Sequence, residues 1–436
     1  MQFHLRLLFS ATIILFTYSC TTSKRPLFSK RSAHEKYGDG LNTAGLAQTQ
    51  MGNAWFAASA KSLLQPHVVS LPYKESGFFA ADKPSANGYL FSAKRGEKVV
   101  VYVTSIPASG YLLFAELWQP ALTSGNPSLL TVMDTLSRQL QYVVKKDGPF
   151  LLRLQPELLR SVEFTVTITI TPSLAFPVHP SGNPKIISLW GVDRDGGARK
   201  HEGIDISAAF RTPALAAADG IIRVSENEIG GKVVFIRDDN SGNNLYYAHL
   251  DKQSVQQGQR VRTGDVIGLV GNTGNARTTI PHLHFGIYTD NGAINPISFV
   301  DNRQPAPKSI TAPIHNLNKW LRTSAAVTLY EEASAKSNVI YKTGSGEAAF
   351  ITGAADNYYK VHLPGGQIGF INSTMLTNKI LRTQKTSAEA RLLDTHDQNA
   401  PAKSTIAKGI ILDVIGIYNN YNLVEYNKLY GWVKTN

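Results

Sequence analysis

The sequence predicts a mainly β protein assembled from several small units, and three observations point there. The chain has 436 residues, whereas one compact domain takes roughly 150, so about three units are expected. Val, Ile, Thr and Tyr recur in alternating apolar and polar runs, the period of a half-buried strand. The last part of the chain repeats itself, which adds small units to the count. With 43% hydrophobic and 17% charged residues, the composition is that of a folded chain, neither disordered nor membrane-spanning.

The N-terminus, MQFHLRLLFSATIILFTYSC, has Arg6 followed by an apolar run from Leu7 to Phe16 broken only by Ser10 and Thr12. That is too short for a span, which needs about 20 apolar residues, and reads as a secretory signal over residues 1–20. Export is expected. Cys20 is the only cysteine, so no intrachain disulfide can form. Its place just after the apolar run resembles the lipobox of bacterial lipoproteins. The resemblance implies acylation of Cys20 and, with Lys24, Arg25, Lys30 and Arg31 behind it, a two-part membrane anchor in the bacterial cell envelope. Residues 21–64 are polar and Ser/Ala/Gly-rich, and read as a tether with a short helix around Ala44 to Leu63.

Residues 65–173 change to strand patterns: EKVVVYVTS, GYLLFAELW, GPFLLRLQP and SVEFTVTITITP. In the last, Phe164, Val166, Ile168 and Ile170 alternate with Thr165, Thr167 and Thr169, one apolar face and one hydroxyl face, as in an antiparallel β-sandwich. A Gly-rich unit over 176–302 follows, closed by a Pro/Asn/Ser linker at 303–318. Beyond it, DNYYKVHLPGGQIGFI (356–371) is repeated as NNYNLVEYNKLYGWV (419–433). The two copies predict tandem small barrels over 319–378 and 385–436. They resemble bacterial SH3-type wall-binding domains. A net charge of +12 favours an anionic partner such as a wall polymer. No basic recognition helix or RNP-like aromatic motif is present, so nucleic acid is not expected.

The candidate chemistry lies in three short stretches, RKHEGIDIS, LYYAHLD and PHLHFGI, which hold four of the eleven histidines. Strand side chains alternate between faces, so His282, His284 and Gly286 share one face, opposite Leu283, Phe285 and Ile287. Likewise His201, Gly203 and Asp205 oppose Ile204 and Ile206, and Leu245, Tyr247 and His249 oppose Tyr246, Ala248 and Leu250. HEGID lacks the second histidine of a helical HExxH site, which leaves a metal site carried on strands. Catalytic zinc takes three protein ligands from His, Asp or Glu plus water. Five candidates, His201, Asp205, His249, His282 and His284, are two more than needed, and the surplus suits a hydrolase that must also move a proton. Spacing alone does not divide ligands from catalytic groups.

HEGID, YYAHL and HLHF, in that order and separated by GQRVRTGDVIGLVGNTG, resemble the LytM/lysostaphin-type metallopeptidases of the M23 family, which cleave peptidoglycan. The resemblance implies a Gly-rich antiparallel sheet with a groove. It implies Zn2+ held by His201, Asp205 and His284, with His249 and His282 as general base and transition-state stabiliser. It also implies peptidoglycan as partner. The chain departs from the family pattern at Asn275 to Ile280 and at Gly286. The alternative function is a non-catalytic wall-binding scaffold or an activator of other wall hydrolases, which would tolerate loss of His249 or His282.

Overall fold

A computed structural model describes residues 31–121 and 125–435; the expected signal, Cys20 and the basic residues up to Lys30 lie outside the described residues. The architecture is mainly β, in several antiparallel sheets with few helices.

The stretch expected to be a tether differs from Arg31 onward. It forms two helices: α1 (Ala33–Thr43), which was not expected, and α2 (Gln50–Leu64), where a short helix was expected around Ala44 to Leu63. Ser32 caps α1 and Glu35 reaches back to the Ser32 N–H, a capping box. Apolar contact outweighs the polar composition: Trp55 of α2 is only 1% exposed and donates from its indole to the Pro156 carbonyl at 2.8 Å. Burying a large aromatic in this way contributes about 2–3 kcal/mol. Gly88 permits the contact, because a Cβ there would lie 1.9 Å from the Ser62 carbonyl oxygen of α2.

The helices rest on a sandwich. One sheet runs His67–Val68, Asn87–Ala93, Gly148–Pro156, Leu113–Gln119, Ser128–Val132; the other includes Tyr73–Phe79, Val162–Pro172, Glu97–Ile106 and Gln139–Val143. The alternation read in SVEFTVTITITP is realised, with Phe164, Val166 and Ile168 buried against Val99, Val101 and Leu152.

The first repeat copy supplies the strands from Trp320–Thr323 to Leu376–Thr377, and the second those from Arg382–Lys385 to Leu429–Lys434. In both, the repeated motif is an antiparallel hairpin: Tyr358–His362 with Ile368–Asn372, and Tyr421–Tyr426 with Leu429–Lys434. The first copy is not a free-standing unit. Its strand Ala348–Ala355 pairs with the sandwich strand Tyr73–Phe79 through Ser76 opposite Ala354 and Gly77 opposite Gly353, making one continuous sheet. Behind this seam Lys360 and Glu75, 2% and 0% exposed, form an ion pair with the ammonium 3.4 Å from both carboxylate oxygens. The hydroxyls of Tyr73 and Tyr89 donate to the same carboxylate at 2.5 and 3.0 Å. A buried charge is tolerated only when it is paired and hydrogen-bonded, and this one is both.

Between the two in the sequence comes a separate sheet ordered Lys185–Ser188, Ile204–Ser207, His282–Thr289, Asn244–Gln253, Gly231–Asp238, Gly220–Asn227, Arg260–Val261. Ile204, Ile206, Tyr247, Leu283, Phe285 and Ile287 fill its core. Burying these side chains on one face leaves their strand neighbours on the other, and the candidate site stands there.

Candidate metal centre

Ile204 and Ile206 are fully buried, which turns the intervening Asp205 to the opposite face of its strand. Asp205 lies directly across from His284 in the antiparallel pair. His201 precedes that strand, and its backbone is fixed by a hydrogen bond from its N–H to the Val192 carbonyl and one from the Gly191 N–H to its own carbonyl. The His201 Nδ1–H donates to the Leu189 carbonyl at 2.8 Å, so the Nε2 lone pair is free to face the cluster.

Three atoms converge: His201 Nε2, Asp205 Oδ1 and His284 Nδ1 stand 3.0 Å from one another in all three pairs. Such a triangle fits a metal ion. A point about 2.0 Å from each atom, the zinc distance to imidazole nitrogen or carboxylate oxygen, lies about 1 Å off their plane, and a tetrahedral ion there keeps its fourth position. Two nitrogens and one oxygen without a thiolate suit a divalent ion that accepts imidazole, such as zinc, iron, nickel or copper. These three residues form a group able to hold a metal. Gly203 makes room for it: a Cβ there would stand 2.7 Å from His284 Nε2 and 2.6 Å from the Phe285 carbonyl oxygen.

Burial alone would raise the Asp205 carboxyl, but the contacts with His201 and His284, whenever those rings carry a proton toward it, outweigh burial and hold the group well below the usual carboxylate range. The Arg194 guanidinium donates to the second oxygen of Asp205 at 2.6 Å and to the Ser188 hydroxyl at 2.9 Å. Burial lowers His284, against the hydrogen bond and charge of Asp205 that raise it. A neutral imidazole and an ionised carboxylate are the forms that bind metal.

His249 and His282 complete the constellation. His282 shares its strand face with His284, and its Nδ1–H donates to the Ile280 carbonyl at 2.8 Å. The His249 Nδ1–H donates to the Thr273 carbonyl at 2.9 Å. Each ring therefore keeps a free Nε2. The ring centroids of His249 stand 5.0 Å from His282 and 6.0 Å from His284. Burial, reinforced by His282 and His284, pushes His249 down to about 4.

Simple alternation misplaces His249. It would put His249 with Leu245 and Tyr247, but those two enter the core together with Leu250, while Tyr246 sits edge-on to His284 at 5.7 Å. The strand is bulged there: Val234 faces Tyr247 and Lys232 faces Leu250, so two steps on one strand meet three on the other. His249 takes φ +62° and its N–H turns to the Gly230 carbonyl at 2.8 Å. One extra residue changes the parity and delivers the imidazole to the site. Arg194 and Tyr246 were not among the expected site residues. Arg194 sits in a segment without period, and Tyr246 was assigned away from the histidines by the same parity error.

Residues 199–296 match the peptidase family M23. Among curated proteins, the chain is 39% identical over 127 residues to the L-Ala–D-Glu endopeptidase of Bacillus subtilis, covering 27% of this chain and 39% of that protein. It is 38% identical over 139 residues to the DD-carboxypeptidase/endopeptidase Mpg of Neisseria meningitidis, covering 32% and 28%. It is 41% identical over 91 residues to the peptidoglycan DD-endopeptidase ShyC of Vibrio cholerae, covering 21% and 20%. The chain thus spans well under half the length of these relatives. The catalytic domain of lysostaphin from Staphylococcus simulans is 29% identical, with a TM-score of 0.25, over 27% of this chain and 92% of that one.

Proposed function

We propose that this protein is a zinc-dependent endopeptidase of the M23 type that hydrolyses peptide cross-links of bacterial peptidoglycan. The observation that carries the reading is the triangle of His201, Asp205 and His284 with two further imidazoles beside it. The match of residues 199–296 to M23 peptidases and the peptidase activities by which the relatives are named support the same class.

In this reading His201, Asp205 and His284 hold the ion, which when bound supplies Lewis acidity toward water and the scissile carbonyl. The chain's own work is proton transfer and charge stabilisation. His249 and His282 each hold the Nδ1–H on a backbone carbonyl, which fixes the tautomer and presents an Nε2 lone pair. One accepts a proton from the attacking water as general base and returns it to the departing amine. The other, when it carries a second proton on Nε2, donates toward the oxygen on which negative charge develops. Arg194 holds Asp205 through its second oxygen, a contact of the kind that orients a metal ligand.

We further propose that the signal and the acylated Cys20 place the protein in the cell envelope, and that the two repeat units act as SH3-like wall-binding modules. A non-catalytic scaffold is the weaker reading, because all five side chains are present and the two ring tautomers are held.

Digestion of purified sacculi tests the proposal, with muropeptides analysed by mass. Zinc-loaded protein should release peptides in a chelator-sensitive manner, and His249→Ala should retain zinc yet lose about 100- to 10,000-fold in rate. No release by fully loaded protein refutes catalysis, and unchanged release by His249→Ala refutes the assigned role.

A further inference from the structure

Far from the metal centre in sequence, a cleft of about 540 Å3 opens where α2, the sandwich and the first C-terminal unit meet. That is within the range of small-ligand sites, about 300–1,000 Å3. Its titratable lining consists of Lys61 from α2, His67 and Lys83 from the sandwich side, and His362 from the C-terminal unit. All four are basic, and among the described residues no Asp or Glu lines the cleft.

The charges of Lys61 and Lys83 have no counter-charge in the lining and repel, so the arrangement needs something to hold it. The seam does so: Ala348–Ala355 is paired to Tyr73–Phe79, with Lys360 and Glu75 buried behind. Burial, with Lys360, His362 and Lys61 around it, pushes His67 down to about 2, and burial pushes His362 down to about 4, so the charge of the cleft is that of its two lysines. Lys83 stands 5.6 Å over the Phe350 ring, bridging the two units.

The rest of the lining says what kind of anion fits. Phe78 and Phe350 supply apolar wall, and the amides of Gln65, Asn87 and Asn318 each offer a donor and an acceptor. A bare inorganic anion uses neither the amide acceptors nor the rings. A peptide uses both, and its terminal carboxylate meets the lysines in charge-assisted hydrogen bonds.

We propose that this cleft binds a short peptide with a free C-terminal carboxylate, separately from the metal centre. The identification of that peptide with an uncross-linked wall peptide rests on the endopeptidase reading; the carboxylate and amide chemistry does not. Lys61 and Lys83 hold the carboxylate, and the amides and phenyl rings take the peptide groups and small side chains.

The test is calorimetric titration of the full chain carrying His249→Ala, so that no peptide is consumed, at physiological salt. The probes are acetyl-Lys-D-Ala-D-Ala, its C-terminal amide and inorganic phosphate. The free acid should bind, with the amide and phosphate each at least about tenfold weaker. The added pair Lys61→Gln and Lys83→Gln should weaken the acid by about tenfold or more, with thermal midpoint and zinc content unchanged. No binding, equal binding of acid and amide, or indifference to the lysine pair would overturn the proposal. Phosphate binding as tightly as the acid overturns it too, marking an adventitious anion site only. These titrations read no hydrolysis, so a failure of sacculus digestion leaves their outcome untouched and the two failures are told apart.

Discussion

Gly203→Ala probes the metal centre without removing any group that would touch the ion. A Cβ at this position meets His284 Nε2 at 2.7 Å and the Phe285 carbonyl oxygen at 2.6 Å, whereas ordinary contacts begin near 3.4 Å. The Phe285 oxygen belongs to strand backbone and is stiff, so relief to 3.4 Å asks about 0.7 Å of the His284 ring and about 0.8 Å of the strand that carries both residues. The 3.0 Å spacing of His284 Nδ1 from His201 Nε2 and Asp205 Oδ1 then cannot be kept. Disturbing the support of a metal ligand costs about 10- to 100-fold in affinity, or about 1.4–2.7 kcal/mol, and overpacking adds about 1–3 kcal/mol of lost stability. Competition titration of zinc against a chromophoric chelator reads the first quantity, and urea unfolding with zinc removed reads the second. Unchanged zinc affinity in a folded Gly203→Ala protein would refute the claim that this glycine makes room for a ligand.

Three more outcomes follow from the same geometry. Arg194→Gln should lower zinc affinity about tenfold, with the far-ultraviolet dichroism unchanged; an unaltered titration would show that its 2.6 Å contact with Asp205 orients nothing. His249 titrates near 4 in the folded chain, below the free value of 6.5. Between those values the unfolded chain therefore binds more protons, and stability complete above about pH 6.5 falls as pH drops toward 4. For zinc-free protein the loss is on the order of 3 kcal/mol, seen as a steeper decline in urea stability than that of His249→Gln; parallel curves would contradict it. Lys360→Met should destabilise by about 3–5 kcal/mol, because it strands the Glu75 carboxylate, while Lys360→Met with Glu75→Leu should recover much of that loss. Equal urea midpoints for wild type and the single variant would show that the seam does not depend on this pair.

Much of the site could be read from residues because strand periodicity and core burial agree. Ile204, Ile206, Leu283 and Phe285 had to face inward, which sent Asp205, His282 and His284 outward. His249 reached the site for a different reason: a bulge and a left-handed backbone, neither of which a period-2 count detects. Arg194 was illegible because a hydrogen bond between segments leaves no local pattern. The helix at Ala33–Thr43 did leave one, Ser32 followed three residues later by Glu35, but the polar composition around it spoke for a tether. The joining of the first C-terminal unit to the sandwich was also hidden. In YYKVH, Lys360 reads as the solvent-facing residue of a strand, and only the approach of Glu75 from another part of the chain explains a lysine that is 2% exposed.

The proposed function requires one ion held jointly by His201, Asp205 and His284, and zinc K-edge absorption of protein loaded with one equivalent measures that most directly. The result expected is a first shell of four light atoms at about 2.0 Å, with the outer-shell scattering of two imidazoles. That scattering should fall to one imidazole in His284→Ala. A shell of six oxygens, or a spectrum indifferent to His284→Ala, would contradict it.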